Sequence, residues 1–352
     1  MAACSSAIAA SITAPSGTRS RSSIAAVQTK SRNYWRCTSA AASEAEKSID
    51  YAILAGEKSQ RRWANSEALT YFDDALHRLD LLTDTEANRL RRIDAVIKQA
   101  EVKFALGQHA EHIEALDQIR DLVEQSDDPH RRAIWHYWRG FLHSLTGGQP
   151  DVGIDHCQQA VAIAAAAGLD EVGAFAESCL AQIYLILGRL REAIESGENA
   201  LATFESLGNL WWACRTIWHL NPAAIALGEW DASVNYCRRA LEYGATLKDQ
   251  RIKVVGLWRI GAAYIHQGDA QRGVQCCNEA LAAGALPYDA AMAKAARGYG
   301  KIKLGLLDAA IADLDEAGSF SRVSACATPT RVMPYGSPRA IFAAAIAPSL
   351  AH

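Results

Sequence analysis

The chain has 352 residues, of which 50% are hydrophobic and 21% are charged, so it can build a large core and lacks the composition of a disordered protein. Its formal net charge of −3 is the sum over three segments that differ in charge. Residues 1–43 and 319–352 contain no acid, so all 39 acids and 28 of the 36 bases lie between them, a net charge of −11. An acidic body argues against nucleic-acid binding, which needs a concentrated basic face.

The nine cysteines form no CxxC pair and no short-range cluster with histidine, which argues against a zinc module or a dense disulfide framework. No apolar run approaches the roughly 18 residues that a membrane helix needs, so we expect no membrane partner. We therefore expect a reduced, cytoplasmic protein. Residues 1–43 are rich in Ser, Ala and Arg, which is typical of a transit segment, so an organellar location is the alternative.

A repeat with a period of 40 residues organises the acidic body. Small apolar pairs recur at this interval, at Ala160-Val161, Ala200-Leu201, Ala240-Leu241 and Ala280-Leu281. A glycine recurs at the same interval, at Gly148, Gly188, Gly228 and Gly268. Apolar residues three and four apart on both sides of each glycine predict two helices joined by a turn. Each repeat is therefore predicted to be a helical hairpin.

The residues inside one repeat carry a family resemblance. One unit reads Leu180-Ala181, Tyr184, Gly188, Ala193, Gly197, Ala200, and another reads Ile260-Gly261, Tyr264, Gly268, Gly273, Cys277, Ala280. This pattern resembles the tetratricopeptide repeat. A further unit has Trp63 where the turn glycine is expected. The resemblance implies an all-α fold, a right-handed superhelical solenoid of about seven hairpins over residues 44–318. Composition predicts a disordered or targeting-like tail at 1–43 and a disordered Pro/Ala-rich tail at 319–352.

The units are longer than the usual tetratricopeptide repeat, which implies helices longer by nearly a turn. In this respect, and in the segment from Ile49 to Leu76, the body is similar to the long-unit repeat region of bacterial adenylate-cyclase-like and ATPase signalling regulators. No cyclase or ATPase motif occurs, so no catalytic activity follows from the likeness. The repeat begins inside a helix at Glu44 and ends at Gly318 without a polar capping helix, so we hypothesise that the chain is a fragment of a longer protein.

The spacing relative to the turn glycine predicts which side chains line the concave surface. Ten and thirteen residues before it lies an aromatic and nearly uncharged stripe. The candidate groove residues are Trp135, Trp138, Phe175, Arg215, Trp218 and Trp258. Such residues are typical anchors for a protein or peptide partner. The alternative is that the tryptophans pack between hairpins.

Three other features have structural interpretations. Cys157, Cys237 and Cys277 share one repeat position and are predicted to pack as small apolar residues. Pro222 is predicted to kink or split its helix. His109 and His112 have the spacing of metal ligands but lack a third ligand, so no metal site is predicted.

The sequence therefore predicts a non-catalytic scaffold that binds a protein or peptide in its concave groove, with no cofactor. No phosphate-binding loop, dinucleotide fingerprint, zinc protease motif or nucleophile elbow occurs. The alternative is the detached regulatory region of a cyclase or ATPase-type signalling protein. The oligomeric state does not follow from the sequence.

Overall fold

A computed structural model describes residues 43–146 and 149–327. Gly148 lies outside these ranges. The predicted tails also lie outside them, apart from residue 43 and residues 319–327. Every regular element within the described ranges is a helix. In chain order the helices are α1 over 43–60, α2 Asn65–Asp80, α3 Glu86–Ala105, α4 His109–Gln118, α5 Arg120–Glu124, α6 Pro129–Thr146, α7 Pro150–Ala167, α8 Asp170–Ile186, α9 Leu190–Ser206, α10 Leu210–Leu227, α11 Trp230–Leu247, α12 Gln250–Gln267, α13 Ala270–Ala282, α14 Pro287–Lys303 and α15 Leu307–Ala327.

The chain divides into two compact units, the first ending at Ala95. In this first unit the Phe72 ring is fully buried and lies against Gly56, where a Cβ atom would come within 2.7 Å of it. The two helices therefore approach so closely that the position requires glycine. Trp63 joins them with a left-handed backbone at φ 61°, as expected for a residue in the place of the turn glycine. The Arg91 Nε atom donates to Asp50 at 2.8 Å.

The second unit, from Val96 onward, is a stack of hairpins. From α6 to α15, each odd-numbered helix packs against the even-numbered helix before it, and the even-numbered first helices also contact one another. The hairpins are α6/α7, α8/α9, α10/α11, α12/α13 and α14/α15. Helices α1 to α5 precede these five hairpins in the chain. The prediction of an all-α solenoid of about seven hairpins is confirmed.

The spacing of the turns is finer than the repeat seen in the sequence. From α7 to α12 a residue with positive φ ends each helix at intervals of 20 residues, and these residues are Gly168, Gly188, Gly208, Gly228, Lys248 and Gly268. The next residue donates its backbone N–H back to the last helical turn, as from Asn209 to the Phe204 carbonyl at 2.8 Å. Lys248, at φ 54°, adopts this backbone although it has a side chain.

Small residues permit close packing of the hairpins. A Cβ atom at Gly197 would lie 2.5 Å from Leu220 Cδ2. Cys157, Cys237 and Cys277 are fully buried, which confirms their predicted packing role. Burial raises the pKa of the Cys237 and Cys277 thiols to about 12, so neither is poised for nucleophilic or redox chemistry.

Two helices are more continuous than the sequence indicated. Helix α10 continues through Pro222 to Leu227, so the proline does not split it. Helix α15 continues to Ala327, so residues 319–327 are helical, whereas the sequence assigned them to a disordered tail. A break that was not predicted occurs at Ile119, where α4 ends and α5 begins. None of the described helices combines the length and apolarity that a bilayer span requires.

Candidate functional site

The first helices of the hairpins, α6, α8, α10, α12 and α14, form the inner layer of the second unit, because they contact one another as well as their own partners. Residues 172–186 of α8 and 212–225 of α10 are all buried or half-buried. The half-buried side chains of this layer are the ones that a partner inside the solenoid would meet. These side chains define the candidate site.

The structure buries three of the six predicted groove residues. Trp135, Trp138 and Trp258 are 2%, 7% and 4% exposed. The Trp135 indole N–H donates to the Leu116 carbonyl at 2.9 Å, which ties α6 to the preceding hairpin. Their assignment to an open groove was therefore wrong in this conformation, because large apolar rings fill the contacts between helices. The alternative, that the tryptophans pack between hairpins, describes these three.

The other three residues, Phe175, Arg215 and Trp218, are half-buried and lie on the adjacent helices α8 and α10. The Phe175 ring lies 4.7 Å from the Trp212 ring, centroid to centroid. The Arg215 guanidinium lies 5.8 Å from the same Trp212 ring. Trp212 thus links Phe175 to Arg215 and places an aromatic surface beside a cation.

A charged column of the inner layer was missed by the sequence interpretation. Nine residues before the turn glycine stand Arg139, Cys179, His219 and Arg259. This column is separate from the predicted stripe and contributes two arginines to the inner helices. Comparing one further repeat position would have revealed this column, because its members recur at the same interval as the tryptophans.

The arginines of the inner layer differ in their partners. Arg139 is buried and donates to Asp117 at 2.6 Å. Arg259 has a hydrogen bond of 3.3 Å to the Asn221 Oδ1 atom and lies 4.6 Å from the Trp258 ring centroid. Among the described residues, neither Arg215 nor Arg259 has a carboxylate within ion-pair distance. Both of these partly buried cations therefore lack an ion-pair partner among the described residues.

Burial affects the protonation of these groups. It lowers the pKa of Arg215 and of Arg259 from the ordinary value for arginine. The pKa of His219 falls to about 3, because burial and the charges of Arg215 and Arg259 disfavour its protonated form. His219 is therefore neutral at physiological pH. The electrostatic potential around His219 is positive because of the charges of Arg215 and Arg259.

Three hydrogen-bond donors in this region have no acceptor among the described residues. They are the indole Nε1 atoms of Trp218 and Trp258 and the guanidinium Nε atom of Arg259, and all three are shielded from solvent. A buried donor without an acceptor costs about 1–3 kcal/mol of folding free energy. This region thus combines positive charge with unsatisfied donors.

One carboxylate does approach the site. Asp289 of α14 is 2% exposed and accepts from the Arg251 Nε atom at 3.4 Å. The Arg251 guanidinium also lies 6.0 Å from the Trp218 ring centroid. Burial raises the pKa of Asp289 and Arg251 opposes that rise. The Asp289 carboxylate is thus held by Arg251, and its charge also acts on Arg259.

The histidines that had ligand spacing do not form a metal site. His112 is fully buried, both of its ring nitrogens lack a hydrogen-bond partner, and burial lowers its pKa to about 3. His136 and His156 instead contact each other, with 2.9 Å between their Nδ1 atoms. Across residues 43–146 and 149–327, no group of three or more His, Cys, Asp or Glu side chains is arranged to hold a metal ion.

No family model and no curated protein matches the sequence, but solved structures match the fold. A signal transduction ATPase with numerous domains (STAND), which has a tetratricopeptide repeat sensor and comes from Pyrococcus horikoshii, matches with 14% identity and a TM-score of 0.57. The match covers 68% of this chain and 36% of that protein, so this chain spans about a third of its length.

Two further structures were solved with bound ligands. A Rap protein complexed with Competence and Sporulation Factor matches with 17% identity and a TM-score of 0.58, over 80% of this chain and 76% of that one. NprR in complex with its cognate peptide NprX matches with 15% identity and a TM-score of 0.53, over 79% of each chain. These likenesses confirm the fold that the sequence predicted, a tetratricopeptide-like helical solenoid.

Proposed function

We propose that this protein is a non-catalytic scaffold that binds a peptide or protein partner through the inner layer of its second unit. The single observation that carries the proposal is the juxtaposition of Phe175, Arg215 and Trp218, which are half-buried on neighbouring inner helices. Aromatic and arginine side chains that are already partly desolvated contribute most to binding energy in protein interfaces. A peptide between the hairpins would bury the rest of their surface.

Two matched structures support a peptide as the class of partner. Their printed descriptions place Competence and Sporulation Factor on the Rap protein and the peptide NprX on NprR. The net charge of −11 on the repeat body disfavours nucleic acid. No residue constellation described above has the geometry of a nucleophile beside a base, so the proposal includes no reaction.

A second candidate rests on the STAND match. That protein combines an ATPase with a tetratricopeptide repeat sensor, and this chain aligns with 36% of it. The present chain would then be the sensor region of an ATPase or cyclase-type signalling protein, and partner binding would control a catalytic module joined to it. Both candidates use the same inner surface. An adjacent reading frame with a phosphate-binding loop would favour the second.

The binding proposal is tested with peptides selected against the full chain from a random display library. Binding of a selected peptide to the wild type is compared with binding to Trp218→Ala and to Trp230→Ala, by fluorescence polarisation of the labelled peptide. Trp230 begins the outer helix α11 and is 39% exposed, so it provides the same substitution outside the inner layer. We expect weaker binding only for Trp218→Ala. Equal affinity for the wild type and both variants would refute the assignment.

A further inference from the structure

Consecutive hairpins of the second unit meet at fixed positions of the repeat. Val234 of α11 lies in one core cluster with Ile260 of the following inner helix, α12. At the next junction, a Cβ atom at Gly300 of α14 would lie 2.7 Å from Val274 of α13 and 2.9 Å from Ile265 of α12. Apolar residues six positions after the turn glycine and three positions before it are therefore covered by the following hairpin.

The last hairpin exposes these same positions. Its turn glycine is Gly305, so Ile302 and Ile311 stand where Ile265 and Val274 stand in the preceding hairpin. Ile302 is exposed, and Ile311 is 58% exposed, whereas Ile265 is 2% exposed. The terminal units of a solenoid usually have a polar outer face, so this exposed apolar surface is unusual. The last hairpin thus presents a stacking face that no helix within the described ranges covers.

An inner helix also meets the preceding hairpin at fixed positions. In α12, Ile252 and Gly256 lie 16 and 12 residues before the turn glycine, Gly268. A Cβ atom at Gly244 of α11 would lie 2.7 Å from Ile252, and a Cβ atom at Gly256 would lie 2.7 Å from Leu241 of α11. Each of these contacts pairs a large apolar side chain on one helix with a glycine on the other.

Helix α1 of the first unit exposes the corresponding positions. Trp63 takes the place of the turn glycine, so Lys47, Tyr51 and Lys58 stand 16, 12 and 5 residues before the turn. All three side chains are exposed, and Tyr51 is 71% exposed. The surface that an inner helix of the second unit packs against its preceding hairpin is therefore open in α1.

The two open faces are complementary in size. Gly318 of α15 stands 13 residues after its turn glycine, at the position from which Leu241 contacts Gly256. Tyr51 of α1 stands at the position of Gly256. A large side chain and a glycine would thus meet again, with their order exchanged between the two helices. Such pairing of large and small residues is what close packing of two helices requires.

The two faces are also complementary in charge. Asp315 stands at the repeat position of Arg238, which donates to the Tyr264 hydroxyl of the following hairpin at 3.3 Å. Lys58 of α1 stands one position before that of Tyr264. Asp315 and Lys58 are both exposed, and neither has an ion-pair partner among the described residues. The same contact between two copies would bring a carboxylate next to an ammonium group.

We propose that the exposed face of α15 in one copy of this chain packs against the exposed face of α1 in a second copy, so that the chains associate head to tail. The occupant is a second copy because the two faces carry the contact positions of the repeat itself, matched in size and charge. Such a contact uses two different surfaces of each chain, so further copies can add to it. The inference goes beyond the proposed function, because it concerns the ends of the chain's repeats and not the inner layer.

The first test is sedimentation velocity of the full chain over a series of concentrations. We expect the average mass of the wild type to rise with concentration above that of one chain. Ile311→Asp places a charge in the apolar contact and should keep the protein monomeric. The matched control is Leu207→Asp, because Leu207 is an exposed leucine at a turn within the stack and should leave association unchanged.

The outcome of this first test is decisive in either direction. Circular dichroism should give both variants the melting temperature of the wild type, because both residues are exposed. A wild type that stays monomeric at every concentration would overturn the inference. Association of Ile311→Asp as strong as that of the wild type would also overturn it, because the contact would then lie elsewhere.

The second test establishes that the two surfaces differ. Asp315→Lys and Lys58→Glu each place like charges opposite one another, so each variant alone should associate at least roughly tenfold more weakly than the wild type. In an equimolar mixture, the intact α15 face of Lys58→Glu can meet the intact α1 face of Asp315→Lys. Association should therefore return when the two variants are mixed. A mixture that associates no better than either variant alone would overturn the head-to-tail contact.

Discussion

Arg139 and Arg259 occupy the same position of the repeat, three units apart, but only Arg139 has a carboxylate partner. This difference in pairing depends on residues of neighbouring helices and not on the repeat position. Asp117, which pairs with Arg139, lies at the end of α4 just before the break at Ile119. Arg259 has instead the side-chain carbonyl of Asn221, one helix away in the inner layer. The same residue type therefore pairs with a carboxylate in one hairpin and with a neutral amide oxygen in another.

Lys248→Gly should stabilise the protein by up to about 1 kcal/mol, because a lysine with positive φ pays a steric penalty that glycine avoids. The control is Gly208→Ala, at the equivalent turn one repeat earlier. A Cβ atom there would meet nothing within 4 Å, so only backbone strain is changed, and we expect a loss of about 1 kcal/mol. The free energy of unfolding in urea measures both changes. Destabilisation by Lys248→Gly would contradict the prediction.

Gly197→Ala should destabilise the protein by about 1–3 kcal/mol, because its new methyl group would overlap with Leu220 in the core. Gly173→Ala is the matched control within a helix. Its Cβ atom would lie 3.4 Å from that of Ala164, an ordinary contact, so the better helix propensity of alanine should stabilise by about 0.5–1 kcal/mol. Urea denaturation should therefore give opposite signs for the two variants. The same sign for both would show that the close approach of Gly197 and Leu220 does not determine the packing.

Acid should destabilise the fold through His112. Its folded-state pKa of about 3 lies below the ordinary value of 6.5, so as the pH falls the unfolded chain binds the proton first. Stability from this group is complete above pH 6.5 and is lost as the pH falls toward 3, by up to about 1.4 kcal/mol per pH unit.

His112→Phe removes this titration and keeps a ring of similar shape. Unfolding free energies measured between pH 7.5 and pH 4 should therefore fall less steeply for the variant than for the wild type. Parallel pH profiles would contradict the assignment of this acid sensitivity to His112.

The adjacent Cys276 and Cys277 should differ in reactivity. Cys276 is half-buried, whereas Cys277 is fully buried and its thiol pKa is raised to about 12. Alkylation of the native protein with iodoacetamide should therefore modify Cys276 first, because the thiolate is the nucleophile and must be accessible. Fragment-ion mass spectrometry distinguishes the two positions. Equal early modification of both thiols would indicate that α13 opens locally far more often than its packing suggests.

Much of the fold could be predicted because the repeat depends on the conformational preferences of individual residues along the chain. Gly188, Gly228 and Gly268 mark turns, and the left-handed backbone that they adopt is a property of glycine itself. Even the exception at Trp63 was predicted from the register. The second series of turns, at Gly168 and Gly208, obeys the same rule but was not predicted, because the 40-residue period includes only every other turn.

The candidate site was predicted less well, because repeat position does not determine burial. Trp218 and Trp258 occupy equivalent positions, but Trp218 is half-buried and Trp258 is 4% exposed. Their surroundings differ: Trp258 lies in a core cluster with Met292 and Cys277, and Trp218 packs at the margin of that cluster. Side chains from other helices fill the space around each ring, and their identity is not part of the repeat.

The sequence by itself thus determined the hairpins, their number, the turn positions and the small residues at close contacts, because periodicity and backbone conformation are local properties. Only the tertiary structure decided which inner side chains are buried and which arginines are paired, because both depend on what neighbouring helices place beside them. The repeat register placed Arg215 in the predicted stripe but carried no information about its ion-pair partners. Its lack of a carboxylate partner among the described residues, and hence its proposed role in binding, emerges only when α10 packs between α8 and α12.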